Sequence, residues 1–325
     1  MIAIVGSETL LGRDLREALS EAGVRNVQLV GAQDELAITE ESGEPAVITP
    51  LDEERLQESD AIFCAGSVES TKKAFQLAGT GMGTTPTFID LTYALEDLPA
   101  ARLRAPIVQT EAIESRIHVL AHPASTAIAL ILGSVPGTIK HSVIQVFEPA
   151  SERGKAGIHE LQQQTTSLLS FRPMDKKVYD AQLGFAMLAR YGEDAPEQLQ
   201  TVEQRIERHL ATLLACSGKP TPMPSMRVTQ APVFHGYSFS LWIEFDGARP
   251  DLADLTDELE GADIDVRGAD LDAPTNIGAA GQSGITAGVI EADRNHPRAV
   301  WIWAVADNFR LLVDNAIQVG KALLK

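Results

Sequence analysis

The run Ile2-Ala-Ile-Val5, followed at once by Gly6 and then by apolar residues at helical spacing, restricts the fold more than any other feature of the chain. Leu10, Leu11, Leu15, Ala18, Leu19 and Ala22 recur on one helical face, Gly23 stops the helix, and Val27–Val30 is a second β-branched run. Strand, glycine turn, helix and strand in that order form a crossover unit, which forces the two strands to be parallel. The rhythm continues with strands predicted at Ala61–Phe63 and Thr87–Ile89 and a helix around Glu69–Gln76. This predicts an α/β region with a doubly wound parallel sheet.

The second half reads differently. Strands are predicted at His141–Phe147, Ile285–Glu291 and Val300–Ala306, and helices at Lys155–Leu169 and Glu197–Cys216. Phe239, Leu241, Ile243 and Phe245 alternate with Ser240, Trp242 and Glu244, the pattern of a strand with one covered face. Strands with helices set to one side predict an α+β domain, and a helix from about Asn308 to Leu324 closes the chain. At 325 residues, two domains are expected: 1–121 completed by 307–325, and 122–306. Pro220, Pro222 and Pro224 mark a stiff loop and Gly278–Gly284 a flexible one.

Charge removes whole classes of partner. With 27 Lys+Arg against 45 Asp+Glu the formal net charge is −18, which opposes binding to nucleic acid or to an anionic membrane surface. A phosphate-bearing small molecule needs only one local cluster and stays admissible. The apolar start ends at Val5 with no basic stretch before it, unlike a secretory signal. The most apolar stretch, His118 to Val135, is broken by His122, Pro123, Ser125 and Thr126, so no bilayer span and a cytoplasmic location are expected. Cys64 and Cys216 have neither metal-ligand nor disulfide spacing and are expected to be small buried apolar groups; no metal is expected.

The turn Gly6-Ser-Glu-Thr-Leu-Leu-Gly12 joins a strand to a helix N-terminus, where free N–H groups and the positive dipole end suit a pyrophosphate. Gly6, Thr9, Leu10, Leu11 and Gly12 are the candidate contacts, with Ala65 and Gly66 after the third predicted strand. Thr9 stands where the usual pattern has its middle glycine, and Glu8 adds a negative charge. Two readings stand: a cofactor loop, or a turn kept for folding. In Gly31-Ala-Gln-Asp-Glu35, Asp34 or Glu35 suits a ribose 2′-hydroxyl, and no Arg lies between Asn26 and Pro50 to hold a 2′-phosphate. NAD is therefore favoured over NADP, with binding of neither left open.

These turns, together with Phe63-Cys-Ala-Gly66, Phe88-Ile-Asp90, Ala121-His-Pro-Ala-Ser-Thr126, Gly154-Lys155, Gln182-Leu-Gly-Phe-Ala-Met-Leu188, Ala231-Pro-Val-Phe-His-Gly236, Trp303-Ala-Val-Ala-Asp-Asn308 and Asn315-Ala-Ile-Gln-Val319, fall in one order. That order resembles the aspartate-semialdehyde dehydrogenase family, and more closely its Usg-type paralogues lacking the catalytic cysteine. The resemblance runs nearly end to end. It implies a Rossmann-type nucleotide-binding domain, an α+β dimerisation and substrate domain inserted in it, and Asn308 near the cofactor. It also implies a reaction in which a cysteine thiolate attacks an aldehyde, hydride passes to NADP, and phosphate cleaves the thioester.

Carried over residue by residue, the reaction loses its groups. The family's Asn-Pro-Asn-Cys-Ser-Thr segment reads His122-Pro-Ala-Ser-Thr126, one residue shorter and without the cysteine, so Ala124 or the deletion replaces the nucleophile. Ser125 is the nearest hydroxyl and His122 a rescue base for it; the alternative is that Ser125 or Thr126 caps a helix over Ala127–Leu132. The substrate-arginine position is Gln230 and the acid/base histidine position is Tyr237. His235, two residues away in a strand-like segment and so on the same face, is a second rescue base. Glu148 replaces the family's orienting glutamine, Glu96 its phosphate-holding arginine, and Glu203 matches the substrate-amine glutamate only loosely, a solvated helix face being the other reading.

The expectation is a dehydrogenase-fold protein without the dehydrogenase chemistry, a nucleotide- or partner-binding homodimer. One alternative is an NAD(P)-dependent enzyme with a rebuilt pocket lined by His122, Ser125, Glu148, His235 and Tyr237. Another is a subunit that pairs with an active relative. A small-molecule ligand fits any of the three.

Overall fold

Hydrophobic runs, a glycine turn and capping side chains place each element of the chain. In a computed structural model that describes residues 1–32, 37–41, 44–78, 85–109, 113–262 and 264–323, the chain forms β1 (Ile2–Val5), α1 (Leu10–Glu21), β2 (Val27–Val30), β3 (Ala37–Glu41), β4 (Glu44–Ile48), α2 (Glu53–Gln57), β5 (Ala61–Cys64), α3 (Val68–Ala78), β6 (Thr87–Asp90), β7 (Ala101–Arg104) and β8 (Ile117–Leu120). It continues with α4 (Pro123–Ser134), β9 (Ile139–Glu148), α5 (Gly154–Leu169), α6 (Leu199–Cys216), β10 (Ser225–Gln230), β11 (Tyr237–Phe245), α7 (Leu252–Gly261), β12 (Ile264–Arg267), α8 (Asn276–Ala279), β13 (Ile285–Ala292), β14 (Ala299–Ala306) and α9 (Asn308–Leu323). Asp34 and Glu35, favoured above as ribose readers, lie outside the described residues. The chain divides into two compact units, Met1–Ala121 with Leu312–Lys325, and His122–Leu311.

In the first unit six parallel strands take the order β2-β1-β5-β6-β8-β7. The order reverses between β1 and β5, so the turns leaving those strands, at Gly6 and at Ala65-Gly66, flank the switch point where such sheets seat ligands. Both faces are covered. Ile4, Phe63, Ile89 and Leu120 pack with Leu15 and Leu19 of α1 and with Val313, Ala316 and Ile317 of α9. On the other face Val5, Ile62, Phe88 and Val119 pack with Leu56 of α2 and Ala74 of α3. That two-sided burial is why these strands read as continuous apolar runs rather than alternating ones.

His118 of β8 breaks that apolar rule. It is 1 % exposed, an ionisable ring inside an otherwise apolar strand. Burial, with the Arg104 guanidinium adding repulsion, lowers its pKa to about 4. The unfolded chain therefore takes up a proton between pH 6.5 and 4 that the folded state refuses, and stability falls as pH falls through that window. His118→Leu removes the buried imidazole and with it the proton linkage. Relative to wild type the variant gains up to about 3 kcal/mol between pH 7 and pH 4, read from urea unfolding across that range. Parallel pH profiles of the two proteins would contradict the assignment.

The second unit is a mixed sheet in the order β10-β9-β11-β14-β13-β12. β9, β11 and β14 run antiparallel, with Trp242 opposite Val143 and Trp301. Ile144, Val146, Phe239, Leu241, Ile243 and Ile302 are buried on one face, while Val143 and Trp301 on the other are exposed. α4 is buried over Pro123–Leu132, consistent with its apolar sequence. It begins with Pro123 at its first position, and its N-cap is His122, whose Nδ1 accepts the N–H of Ala124. Ser125 and Thr126 therefore lie inside the helix and do not cap it; the proline sets the start three or four residues earlier than a hydroxyl cap would.

The short β3–β4 hairpin, the strands β7, β8, β10 and β12, and the helices α2, α7 and α8 have no counterpart in the sequence reading. All but β10 and α7 have five residues or fewer, over which periodicity carries little signal; β10 is largely polar, and α7 carries four acidic residues in ten.

Candidate active site

In the first unit the glycines of the Gly6–Gly12 turn are explained by packing. Gly6 has φ +84°, and a Cβ on it would lie 2.1 Å from the Cα of Gly66. A Cβ on Gly12 would lie 2.1 Å from the carbonyl oxygen of Gly6. Thr9 caps α1: its Oγ1 accepts the Gly12 N–H at 2.9 Å, and its single proton is shared between the carbonyls of Ala65 at 2.7 Å and Gly6 at 2.9 Å. The side chain that displaced a glycine thus ties the turn to the end of β5. The N–H groups of Gly6 and Ser7 donate to Val30, and that of Thr9 to Gly6. Leu10 and Leu11 are the first two residues of α1, so their N–H groups have no acceptor within the helix, the arrangement that suits an anion. Glu8 accepts the Ala32 N–H at 2.8 Å.

Asp90 is buried at the end of β6 and spends its carboxylate on the Leu95 and Thr92 N–H groups and the Thr92 hydroxyl. Glu96, half-buried in the turn that follows, raises the Asp90 pKa, to which burial is the larger contribution. Cys64 is fully buried, and burial and then Asp90 push its thiol well up, away from nucleophilic use. Cys216, expected to be buried, is exposed because it is the last residue of α6, beyond the buried positions that run from Leu199 to Leu214.

The second unit gathers most of the remaining candidates into one buried polar cluster. Glu148 ends β9 with no exposure. It accepts from Arg153 at 2.7 Å, from Tyr191 at 3.3 Å and from Tyr237 at 3.4 Å. Arg153 also reaches Glu197 at 2.9 Å, and Glu197 reaches Arg205 at 3.2 Å. Burial raises the Glu148 carboxyl against the pull of Arg153. Burial works against the Arg153 charge too, but Glu148 and the surrounding groups hold it well above its ordinary value.

Gln230, at the substrate-arginine position, has every side-chain atom engaged inside the protein. Its Oε1 lies 2.6 Å from the Tyr191 hydroxyl, whose single proton it shares with Glu148, and its amide donates to the carbonyls of Glu148 and Ala231. Tyr237 is buried, stacked on Phe239 and edge-on to His122. Burial and the positive field of His209, Arg205 and Arg153 depress the His122 pKa well below its ordinary value, so the ring is neutral. Its Nε2 lies 3.8 Å from Glu152, whose carboxyl is pushed up to about 8 by burial and by Glu148. At neutral pH that contact joins two uncharged groups rather than an ion pair.

Three of the five side chains proposed for a rebuilt pocket, His122, Glu148 and Tyr237, therefore meet, and two do not. Ser125 donates its hydroxyl to Ile206 of α6 at 2.8 Å, so it is spent on helix packing and is not paired with His122. His235 lies in the loop before β11, against Phe309, and Gly236 at φ +80° reverses the backbone ahead of Tyr237. The period-two argument that put His235 and Tyr237 on one face fails because the two residues do not share a strand. Ala124 is fully buried in the first turn of α4. Asn308, at the start of α9, accepts from the Ser151 hydroxyl at 3.1 Å. Glu203 is not on a solvated face: it holds Arg227 at 2.9 Å and the Val228 N–H at 2.8 Å, anchoring β10.

Arg153, Tyr191, Glu152 and Glu197, central to the cluster, were not singled out from the sequence. Arg153 precedes the Gly154-Lys155 motif, but only the fold brings it to Glu148. Among the described residues no group of three or more His, Cys, Asp or Glu side chains is placed to hold a metal, and no helix is long and apolar enough to cross a membrane.

Comparison with known proteins agrees with this architecture. Residues 133–311 match the family described as semialdehyde dehydrogenase, dimerisation domain. A USG-1 protein homolog of Azotobacter vinelandii is 30% identical over 275 residues, covering 81% of this chain and 78% of the relative. An aspartate-semialdehyde dehydrogenase of Rickettsia bellii is 26% identical over 340 residues, covering 100% and 97%. A solved structure of a probable aspartate-semialdehyde dehydrogenase from Pseudomonas aeruginosa superposes with TM-score 0.84 at 25% identity, covering 100% of this chain and 98% of that one. The chain belongs to the aspartate-semialdehyde dehydrogenase family, with USG-1 proteins among its relatives.

Proposed function

We propose that this family member has lost the phosphorylating semialdehyde dehydrogenase chemistry and acts as a dinucleotide-binding homodimer. The observation that carries the reading is the self-pairing of the site positions. Ala124 offers no nucleophile, Gln230 has no free donor for a ligand carboxylate, and Glu148 is held by Arg153, Tyr191 and Tyr237. A ligand acid there would have to break these bonds and enter beside carboxylates. The nearby titratable groups, a neutral His122 and a Glu152 near 8, could move a proton but have no nucleophile to serve.

Dinucleotide binding is supported by the Leu10 and Leu11 N–H groups at the switch point and by the family's use of NADP; the acidic surroundings favour NAD. A bound dinucleotide would supply a hydride acceptor. This chain's own residues then hold its phosphates and do no more. The homodimer is supported by the matched dimerisation domain and by Trp301 and Val143 exposed on one sheet face, since tryptophan is enriched at interfaces. The acidic total keeps nucleic acid outside the reading.

Purified protein is expected to show no phosphate-dependent NADP or NAD reduction with aspartate semialdehyde above a heat-killed control, and Ala124→Cys to leave that unchanged, because the base and the carboxylate clamp are missing as well. A phosphate-dependent rate in the wild type would overturn the proposal.

A further inference from the structure

We infer that Glu8 is the residue that selects the adenosine ribose, admitting a free 2′-hydroxyl and excluding a 2′-phosphate. The inference rests on the reading above that the first unit binds a dinucleotide. β1 and β2 are parallel neighbours in register, with Val5 opposite Val30, so their outgoing turns leave the same edge of the sheet side by side. Gly6 and Ser7 hold the first turn against Val30 through their N–H groups, at 2.8 and 3.2 Å. Glu8 is the next residue, and its Oε1 takes the Ala32 N–H at 2.8 Å. A carboxylate is thereby fixed over the end of β2, the place where a sheet of this order seats the adenosine ribose.

The chemistry of that placement is asymmetric. A carboxylate only accepts hydrogen bonds, and here its Oε1 is held in place by the Ala32 N–H. A ribose diol can donate to such a group at no electrostatic cost. A 2′-phosphate brings about two negative charges to the same place, and no lysine or arginine between Asn26 and Pro50 offsets them. The discriminating charge sits in the glycine turn itself, ahead of the acidic pair after β2 that the sequence favours.

Binding of NAD and NADP to the full chain, by calorimetry and thermal shift, tests this in wild type and Glu8→Gln. The glutamine keeps an oxygen for Ala32 and removes only the charge. Wild type is expected to prefer NAD by at least about 100-fold, and Glu8→Gln to narrow that below about tenfold by gaining NADP. Wild type binding both nucleotides equally, or an unchanged preference in Glu8→Gln, overturns the role of Glu8 while leaving dinucleotide binding intact. Nucleotide binding by neither protein overturns the dinucleotide reading and this inference with it. Binding of NADP by the variant alone, with no NAD bound by wild type, overturns the ribose contact.

Discussion

Arg153→Met is expected to destabilise the protein by about 3–5 kcal/mol, the cost typical of removing one partner from a buried ion pair. Glu148 has no exposure, and two of its three hydrogen-bond donors are neutral phenols. Removing the guanidinium also strips Glu197 of one of its two arginine contacts. Methionine fills much of the volume, so the loss reports charge and hydrogen bonding rather than a cavity. The pH dependence carries the diagnosis. Burial already raises the Glu148 pKa, and without Arg153 it rises further. A carboxyl with a raised folded pKa gives stability that is present at low pH and lost as pH climbs from its unfolded value through the folded one. The penalty should therefore be smaller at pH 5 than at pH 8 in urea unfolding. An equal penalty at both would mean that Glu148 is not the group left stranded.

Gly6→Ala should cost about 4 kcal/mol or more, at the exceptional end for a single substitution. The added Cβ would sit 2.1 Å from the Cα of Gly66, with the Gly66 nitrogen at 2.4 Å, and φ is +84°. Both atoms are Gly66 backbone in the turn after β5, which pairs with β1 in the interior of the sheet, so neither can swing aside. Gly23→Ala separates the two contributions: it too has positive φ, +75°, but nothing within 4 Å of the added Cβ, and should cost only about 1 kcal/mol. The expected large gap between the two, in apo protein without nucleotide, would locate the need for Gly6 in folding itself. A Gly6→Ala variant within about 1 kcal/mol of wild type would show that the sheet can open between β1 and β5.

The same contact explains why the glycine turn was ambiguous in sequence. A turn that must let two backbones touch and a turn that must let a phosphate approach both require glycine. The packing requirement is met here whether or not a ligand comes. Thr9 sharpens the point, because it is compatible with the fold and adds a strut between α1 and β5 where a phosphate loop would leave space.

The long periodic elements were legible because hydrophobic spacing is a local property. The strands Ile2–Val5, Val27–Val30, Ala61–Cys64 and Tyr237–Phe245 and the helices α1, α5, α6 and α9 lie within a few residues of where their patterns put them. The absence of a cysteine at Ala124 and the change to Gln230 and Tyr237 were equally plain, since a missing side chain needs no geometry to be noticed. What the sequence could not determine is what those replacements do. Hydrogen bonds among Glu148, Arg153, Tyr191, Gln230 and Tyr237 join positions up to 89 residues apart, and the direction of Ser125 toward α6 depends on where that helix packs. Such pairings follow from chain crossings rather than from neighbouring residues. Only the tertiary structure could turn a list of lost catalytic groups into a network in which each replacement satisfies another.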